Sequence, residues 1–220
     1  ARGHLLMPRV YEETLAPEER RRFLVERLGL RPDRKIVFLT TGGAGANNHL
    51  AILPVLKAFA DEYQALVVCG RNQRAYLKVL RWQRRNPELA CHVESYCQEM
   101  HLLMQVSDLV LTRGGTTTCS EALHFGCPIV FNGFGGVMPQ ERLTMKYFLQ
   151  DGAAAAVQSP AGLRRLLAGW RREPASFDRL RRRFRALRFP GDPSQAARDL
   201  VALAREAQRA EEASAVPAAP

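Results

Sequence analysis

A chain of 220 residues with 46% hydrophobic content can bury one large core, so one domain with appendages is expected. No apolar run approaches a membrane span, and the first residues lack the charged-then-apolar layout of a secretory signal, which points to a soluble or peripheral cytosolic protein. The formal charge of +10 is compatible with a solvated basic surface or an anionic membrane; nucleic acid ranks third, since no aromatic-interleaved basic motif or zinc-finger pattern is present.

The positive excess is almost all arginine, with lysine only at Lys35, Lys57, Lys78 and Lys146. The five cysteines (Cys69, Cys91, Cys97, Cys119, Cys127) are odd in number and show no metal-ligand spacing. They read as buried small hydrophobes in a reducing compartment.

In chain order, residues 1–16 carry no clear period and read as an interdomain linker, a connector from something longer. Pro17-Glu18-Glu19 opens a helix, with proline in its first turn and acids at the positive end, that runs to Leu28 and stops at Gly29. KIVFLT at 35–40 is a β-branched, apolar strand buried on both faces. It enters TTGGAGANNH, a glycine-rich loop before a helix at about 50–62, where an open parallel sheet places ligand-binding loops. Gly42, Gly43 and Gly45 do not match the dinucleotide fingerprint and a Walker lysine is missing, so the loop alone is weak evidence.

A strand at 65–69 follows, with Gly70-Arg71-Asn72 at its carboxyl end and then a helix to about Arg85. Arg71 is a candidate phosphate partner through its planar fork of donors. Residues 91–94 form a short strand, and backbone groups at Ser95-Tyr96 can bond a base edge before a helix at 98–106.

The central stretch is SDLVLTRGGTTTCSEALHFGCPIVFNGFGGVMPQERLTMKYFLQDG, residues 107–152: strand, glycine turn, helix, strand near Ile129 and a Pro-Gln-Glu loop. Gly114 and Gly115 turn the chain into a helix opening near Thr116. Its free N–H groups, its dipole and the hydroxyls of Thr116, Thr117 and Thr118 form a cradle for a diphosphate. Glu121, in the second turn, is placed to accept from ribose hydroxyls. A last strand at 153–157 and helices at 161–170, 175–188 and 193–210 close the chain, with 211–220 a disordered tail.

The fold class is therefore α/β, a Rossmann-like parallel sheet with helices on both faces over residues 17–190, then a C-terminal helix at 191–210.

The segments TTGGAGANN (40–48), VVCGRN (67–72), SDLVLTRGGTTTCSEAL (107–123), GCPIVFNGF (126–134), PQE (139–141) and DGAA (151–154), in this order, resemble the carboxyl-terminal, donor-binding half of GT-B glycosyltransferases. The likeness is to the group of the lipid II N-acetylglucosaminyltransferase and the monogalactosyldiacylglycerol synthases, and runs from about Pro8 to Leu167. It implies one half of a GT-B fold that binds a UDP-sugar. Gly114, Gly115, Thr116 and Thr117 would hold the diphosphate, Glu121 the ribose, and Gln140 with Glu141 the sugar hydroxyls. Ser95, Tyr96 and Cys97 would face uracil, while Arg71 and the loop from Gly42 and Gly43 to Asn47 would border the cleft. Arg113 stands where relatives often have Lys or Ser.

The implied function is hexosyl transfer from a UDP-sugar to a lipid acceptor, inverting and metal-independent, with no cofactor beyond the donor substrate. The resemblance implies that the catalytic base lies in an amino-terminal acceptor domain, so none of His4, His49, His92, His101 and His124 is assigned a catalytic role. Expected partners are the UDP-sugar, that acceptor domain or a separate subunit, and an anionic membrane at the cytoplasmic face, but not nucleic acid. The alternative is a non-catalytic module that holds a nucleotide, a phospholipid or a partner. The apolar stripe Leu166, Leu167, Trp170, Phe177, Leu180, Phe184 and Leu187 between arginines allows an interfacial helix, although such stripes more often pack on a sheet.

Overall fold

The computed structural model describes residues 6–42, 48–187 and 193–214. Six strands form one parallel sheet in the order β3-β2-β1-β4-β5-β6. They are β1 (Lys35–Thr40), β2 (Tyr63–Val68), β3 (Cys91–Glu94), β4 (Leu109–Thr112), β5 (Ile129–Asn132) and β6 (Ala155–Val157). β1 pairs with β2 on one side (Val37 opposite Ala65) and with β4 on the other (Val37 opposite Leu109). The strand order reverses between β1 and β4, so the loops after these two strands diverge and leave a crevice at the carboxyl edge.

Each strand alternates its side chains between two apolar faces. Val37, Leu39, Ala65, Val67, Leu109 and Leu111 join one core with Ile52, Leu53 and Leu56 of α3 (His49–Lys57) and Val79 of α4 (Gln73–Arg84). Leu163, Leu167 and Trp170 of α8 (Pro160–Arg172) and Phe177 and Leu180 of α9 (Pro174–Ala186) complete it. On the other face Phe131 of β5 meets Phe148 of α7 (Pro139–Leu149), and Phe148 stacks on Phe184 of α9 at 5.8 Å. α9 thus joins the two cores. The apolar stripe of residues 166–187 is spent on this packing: Leu167 and Phe184 are fully buried, and the arginines point outward. The sheet-packing alternative holds, and the interfacial-helix alternative loses its apolar face.

The first helical segment widens as it ends. α2 (Pro17–Arg22) passes into a π-helical turn at Phe23–Arg27, and Gly29 at φ +63° stops it. Inside the expected linker lies a short helix, α1 (Pro8–Glu12). The residues after it are bolted to α5 (Met100–Gln105), where Gln105 accepts from Leu15 N and donates to Glu13 O, both at 2.8 Å, and His101 Nε2 meets the Glu13 carboxylate at 2.6 Å.

One helix escaped the sequence reading. Pro139-Gln140-Glu141, expected as a loop, opens the eleven-residue α7. Proline at its first position and Glu141 reaching back to Met138 N at 3.1 Å are a helix-start signature.

Residues 8–187 form one compact unit, and α10 (Pro193–Ser214) belongs to a second. α10 runs four residues past its expected end into the segment expected as a tail. Gln195 is bonded to Asp199 and Arg198 along its first turns. Among the described residues no helix is long and apolar enough to cross a membrane.

Candidate functional site

Four strand ends build the site. After β1, Thr41 leads to Gly42 at φ +83°, a conformation that only glycine adopts freely. After β2, Gly70 (φ +62°) turns the chain and Asn72 caps α4 by accepting from Ala75 N at 2.9 Å. Arg71, between them, is exposed and lies 5.1 Å over the ring of Tyr96, which follows β3 and is 50% exposed. After β4, Arg113-Gly114-Gly115 lead into α6 (Thr116–His124), whose first N–H groups face outward from the sheet edge.

Between these ends lies a cavity of about 280 Å³. Thr40, Gly42, Val68 and Gly70 form its sheet side; Tyr96, Cys97 and Met100 form one wall; Thr117, Thr118 and Glu121 of α6 form the other. Residues more than seventy positions apart therefore share one pocket at the switch point of the sheet. Of the residues picked from sequence, Gly42, Tyr96, Thr117 and Glu121 converge there, with Thr118 and Cys97 beside them. Gly43 and Asn47 lie outside the described residues. Thr40, Val68, Gly70 and Met100 were not singled out, although Thr40 and Gly70 could have been found by their place at the carboxyl ends of strands.

Burial pushes the Glu121 carboxyl up, opposed by the positive charges of His101 and Arg9. The wall of Tyr96 and Cys97 is pinned by Glu94, which is lowered to about 2 by its hydrogen bond with His92, against the cost of burial, and by Cys97 and Arg27. The same contact, with burial acting first, raises the Cys97 thiol to about 12, so Cys97 is an inert lining group. Cys69, Cys119 and Cys127 are buried free thiols, as expected, while Cys91 and Cys97 are half-buried. His49 is buried, which holds its pKa below the usual value, with Nε2 3.4 Å from Thr41 Oγ1.

The glycine turn works differently from the expectation. Neither Gly114 nor Gly115 adopts positive φ, and Gly115, at φ −63° and ψ 123°, is the N-cap of α6. Gly114 is buried, and a Cβ there would lie 2.8 Å from Glu141 Cβ and 2.9 Å from Glu141 O. Its missing side chain lets α7 approach β4. Gly115 has open space in front of it. Thr116 is exposed, its hydroxyl 3.4 Å from that of Thr144 on α7.

At the α7 end, Gln140 is exposed, and its amide lies 3.6 Å from Met138 Sδ. Glu141 is buried and takes a two-bond contact from Arg113, Nε to Oε1 and Nη2 to Oε2, each 3.1 Å. Burial works to raise its pKa, but Arg113 and Met138 N–H outweigh that and hold it low. Arg113 also donates to Gly136 O at 3.0 Å. Gln140 and Glu141 thus stand beside the β4–α6 turn without lining the cavity.

With this geometry in place, the comparisons with known proteins fall on the same segments. Residues 36–138 match the Glycosyltransferase family 28 C-terminal domain. The matched range holds β2 to β5, all of β1 except Lys35, and every residue of the cavity. Among curated relatives, monogalactosyldiacylglycerol synthase 1 of Arabidopsis thaliana is 27% identical over 155 residues, 65% of this chain and 27% of that protein. A processive diacylglycerol beta-glucosyltransferase of Bacillus cytotoxicus is 28% identical over 132 residues, 60% of this chain and 33% of its own length. The chain therefore spans about a third or less of the curated relatives it matches. Among solved structures, Anabaena HepE in complex with UDP and glucose superimposes with a TM-score of 0.65 at 16% identity, over 94% of this chain and 55% of that one. The resemblance to the carboxyl-terminal domain of GT-B glycosyltransferases is borne out, as is the Rossmann-like parallel sheet.

Proposed function

We propose that this chain is the UDP-sugar-binding domain of a hexosyltransferase that passes the sugar to a lipid acceptor. The observation that carries the reading is the convergence of Gly42, Tyr96, Thr117, Thr118 and Glu121 on one cavity at the sheet switch point. Uracil lies against the segment of Tyr96 and Cys97, and the ribose hydroxyls donate to Glu121. The diphosphate sits at the N-terminus of α6, on Gly115, Thr116 and Thr117, close to Gly114. Arg71, stacked over Tyr96, borders the phosphates. The sugar reaches toward Gln140. Glu141 has both oxygens engaged, so its part is to hold Arg113 and the α7 end in place beside the sugar.

Leaving UDP accumulates negative charge, which helix-terminal N–H groups and a guanidinium stabilise electrostatically. On that chemistry the transfer is inverting and metal-independent. The lipid acceptor is supported by the lipid-acting names of the two curated relatives. The attacking hydroxyl and its base come from an amino-terminal acceptor domain or a separate subunit, so the chain alone binds donor without turnover. A cytoplasmic membrane face is the place where such an acceptor meets a soluble donor.

Calorimetry with a panel of UDP-galactose, UDP-glucose and UDP-N-acetylglucosamine tests the reading. At least one should bind, and Glu121→Ala should weaken it by about 1–3 kcal/mol through loss of a charged hydrogen bond. Unchanged affinity in Glu121→Ala would remove the ribose role, and failure of every UDP-sugar to bind would favour a non-catalytic module instead.

A further inference from the structure

A second cavity, of about 240 Å³, lies at the opposite edge of the sheet. Its floor is formed by Asp108 and Pro128, which precede β4 and β5, and by Cys127. Four residues of β4 separate it from the glycine turn, a span of about 13 Å at the usual rise of a strand. Four guanidinium groups ring its mouth: Arg20 and Arg21 from α2, Arg181 and Arg185 from α9. Two helices far apart in sequence bring these charges to one concave site.

One carboxylate lines the cavity, that of Asp108, whose Oδ2 accepts from Ile36 N at 2.9 Å, so the arginines outnumber the acid there. Arg20, Arg21 and Arg181 form no ion pair among the described residues, although several other arginines of the chain do, including Arg27, Arg31, Arg113, Arg171 and Arg179. Arg181 instead lies 5.7 Å over the ring of Phe177, which orients it. Guanidinium groups gathered in one concave site attract an anion, and phosphate is an anion whose oxygens match their forked donors. A solvated arginine surface would explain exposed charges on a convex face. It does not explain Arg20, Arg21 and Arg181 around one concave site whose described lining holds a single carboxylate.

We propose that this cavity binds a phosphate-bearing anion, at a site separate from the nucleotide cavity. The same chemistry is offered by a soluble phosphate ester and by a phospholipid headgroup, with the stem of either resting on the apolar wall of Leu24 and Phe125.

The test is calorimetric titration of glycerol 3-phosphate at low salt, with and without saturating UDP, on the native chain and on the double variants Arg20→Gln/Arg181→Gln and Arg20→Lys/Arg181→Lys. A parallel arm measures co-sedimentation with phosphatidylcholine vesicles with and without phosphatidylglycerol. Binding of either probe should fall at least about tenfold in the Gln pair, survive largely in the Lys pair, and persist with UDP present. Glycerol 3-phosphate alone identifies a soluble ester, and vesicles alone identify a headgroup. Equal binding by the native and Gln chains, loss of binding with UDP or in Glu121→Ala, or no binding of either probe would overturn the proposal. Arg20 is exposed and Arg181 is half-exposed, so thermal melting by circular dichroism should confirm that both variants fold.

Discussion

Arg113 and Glu141 face each other across the turn that leads into α6, joined by two hydrogen bonds of 3.1 Å. Their side chains are 18% and 11% exposed, so the pair is largely withdrawn from water. It ties the carboxyl end of β4 to the first turn of α7. Removing one partner leaves the other charge poorly solvated, the costly way to break such a pair. Arg113→Ala should therefore destabilise the domain by about 2 kcal/mol in urea unfolding, and adding Glu141→Gln should recover part of the loss. Equal stability of native and Arg113→Ala chains would show that the pair has no structural role.

Two adjacent glycines should separate in their effects. In Gly114→Ala the new Cβ meets backbone and side chain of Glu141 below 3.0 Å, so α7 must shift and stability should fall by about 1–3 kcal/mol. In Gly115→Ala nothing lies within 4 Å, and stability should change by less than about 1 kcal/mol. On the proposed function, Gly115→Ala should nonetheless weaken UDP, because the methyl occupies the approach of the diphosphate. Paired denaturation and UDP titration of the two variants measure this division.

Glu121 should make UDP binding sensitive to mild acid. Its carboxyl is raised by burial, so it takes up a proton at a higher pH than an ordinary glutamate, and on the proposed function it then no longer accepts from both ribose hydroxyls. UDP affinity should decline as the pH falls toward that raised value. The sign for folding is opposite: a carboxyl with raised native pKa favours the folded state when protonated and costs stability as pH rises through it. Glu121→Gln should thus bind UDP more weakly, lose the acid dependence, and melt at the same or a higher temperature at neutral pH. Calorimetry across pH and thermal melts of both chains would check this.

Glu94 gives the reverse case. Its carboxyl is held at about 2 by its hydrogen bond with His92, with Cys97 and Arg27 adding to it, against the cost of burial. A lowered carboxyl stabilises the fold above its unfolded pKa, and that stability is lost as pH falls from the ordinary glutamate range to about 2. Glu94→Gln should flatten this part of the acid unfolding curve and cost about 1–2 kcal/mol at neutral pH. Since Glu94 also accepts from Cys97, the variant should loosen the wall beside Tyr96.

Local chemistry carried much of the fold. The apolar run at 35–40, the β-branched run ending at Val68 and the glycine turn before Thr116 are each decided by neighbours in sequence, and each element lies within a few residues of where it was expected. Helix α7 is instructive because its start signature, proline followed two residues later by Glu141, is local, yet the segment's lack of a clear apolar run suggests a loop.

By itself the sequence determined an alternating α/β chain with glycine-bearing turns at strand ends and a family likeness over most of its length. Periodicity, capping and φ preference act over a few residues, and these features need nothing more. Only the tertiary structure decided that β1 lies between β2 and β4, because strand pairing joins residues far apart in the chain. From that pairing follow the meeting of Gly42 with Glu121, the engagement of Glu141 by Arg113, and the arginine-ringed cavity at the far edge of the sheet. Gly114 shows the difference at one residue: the local chain allows a turn there without glycine, and the close approach of α7 requires it.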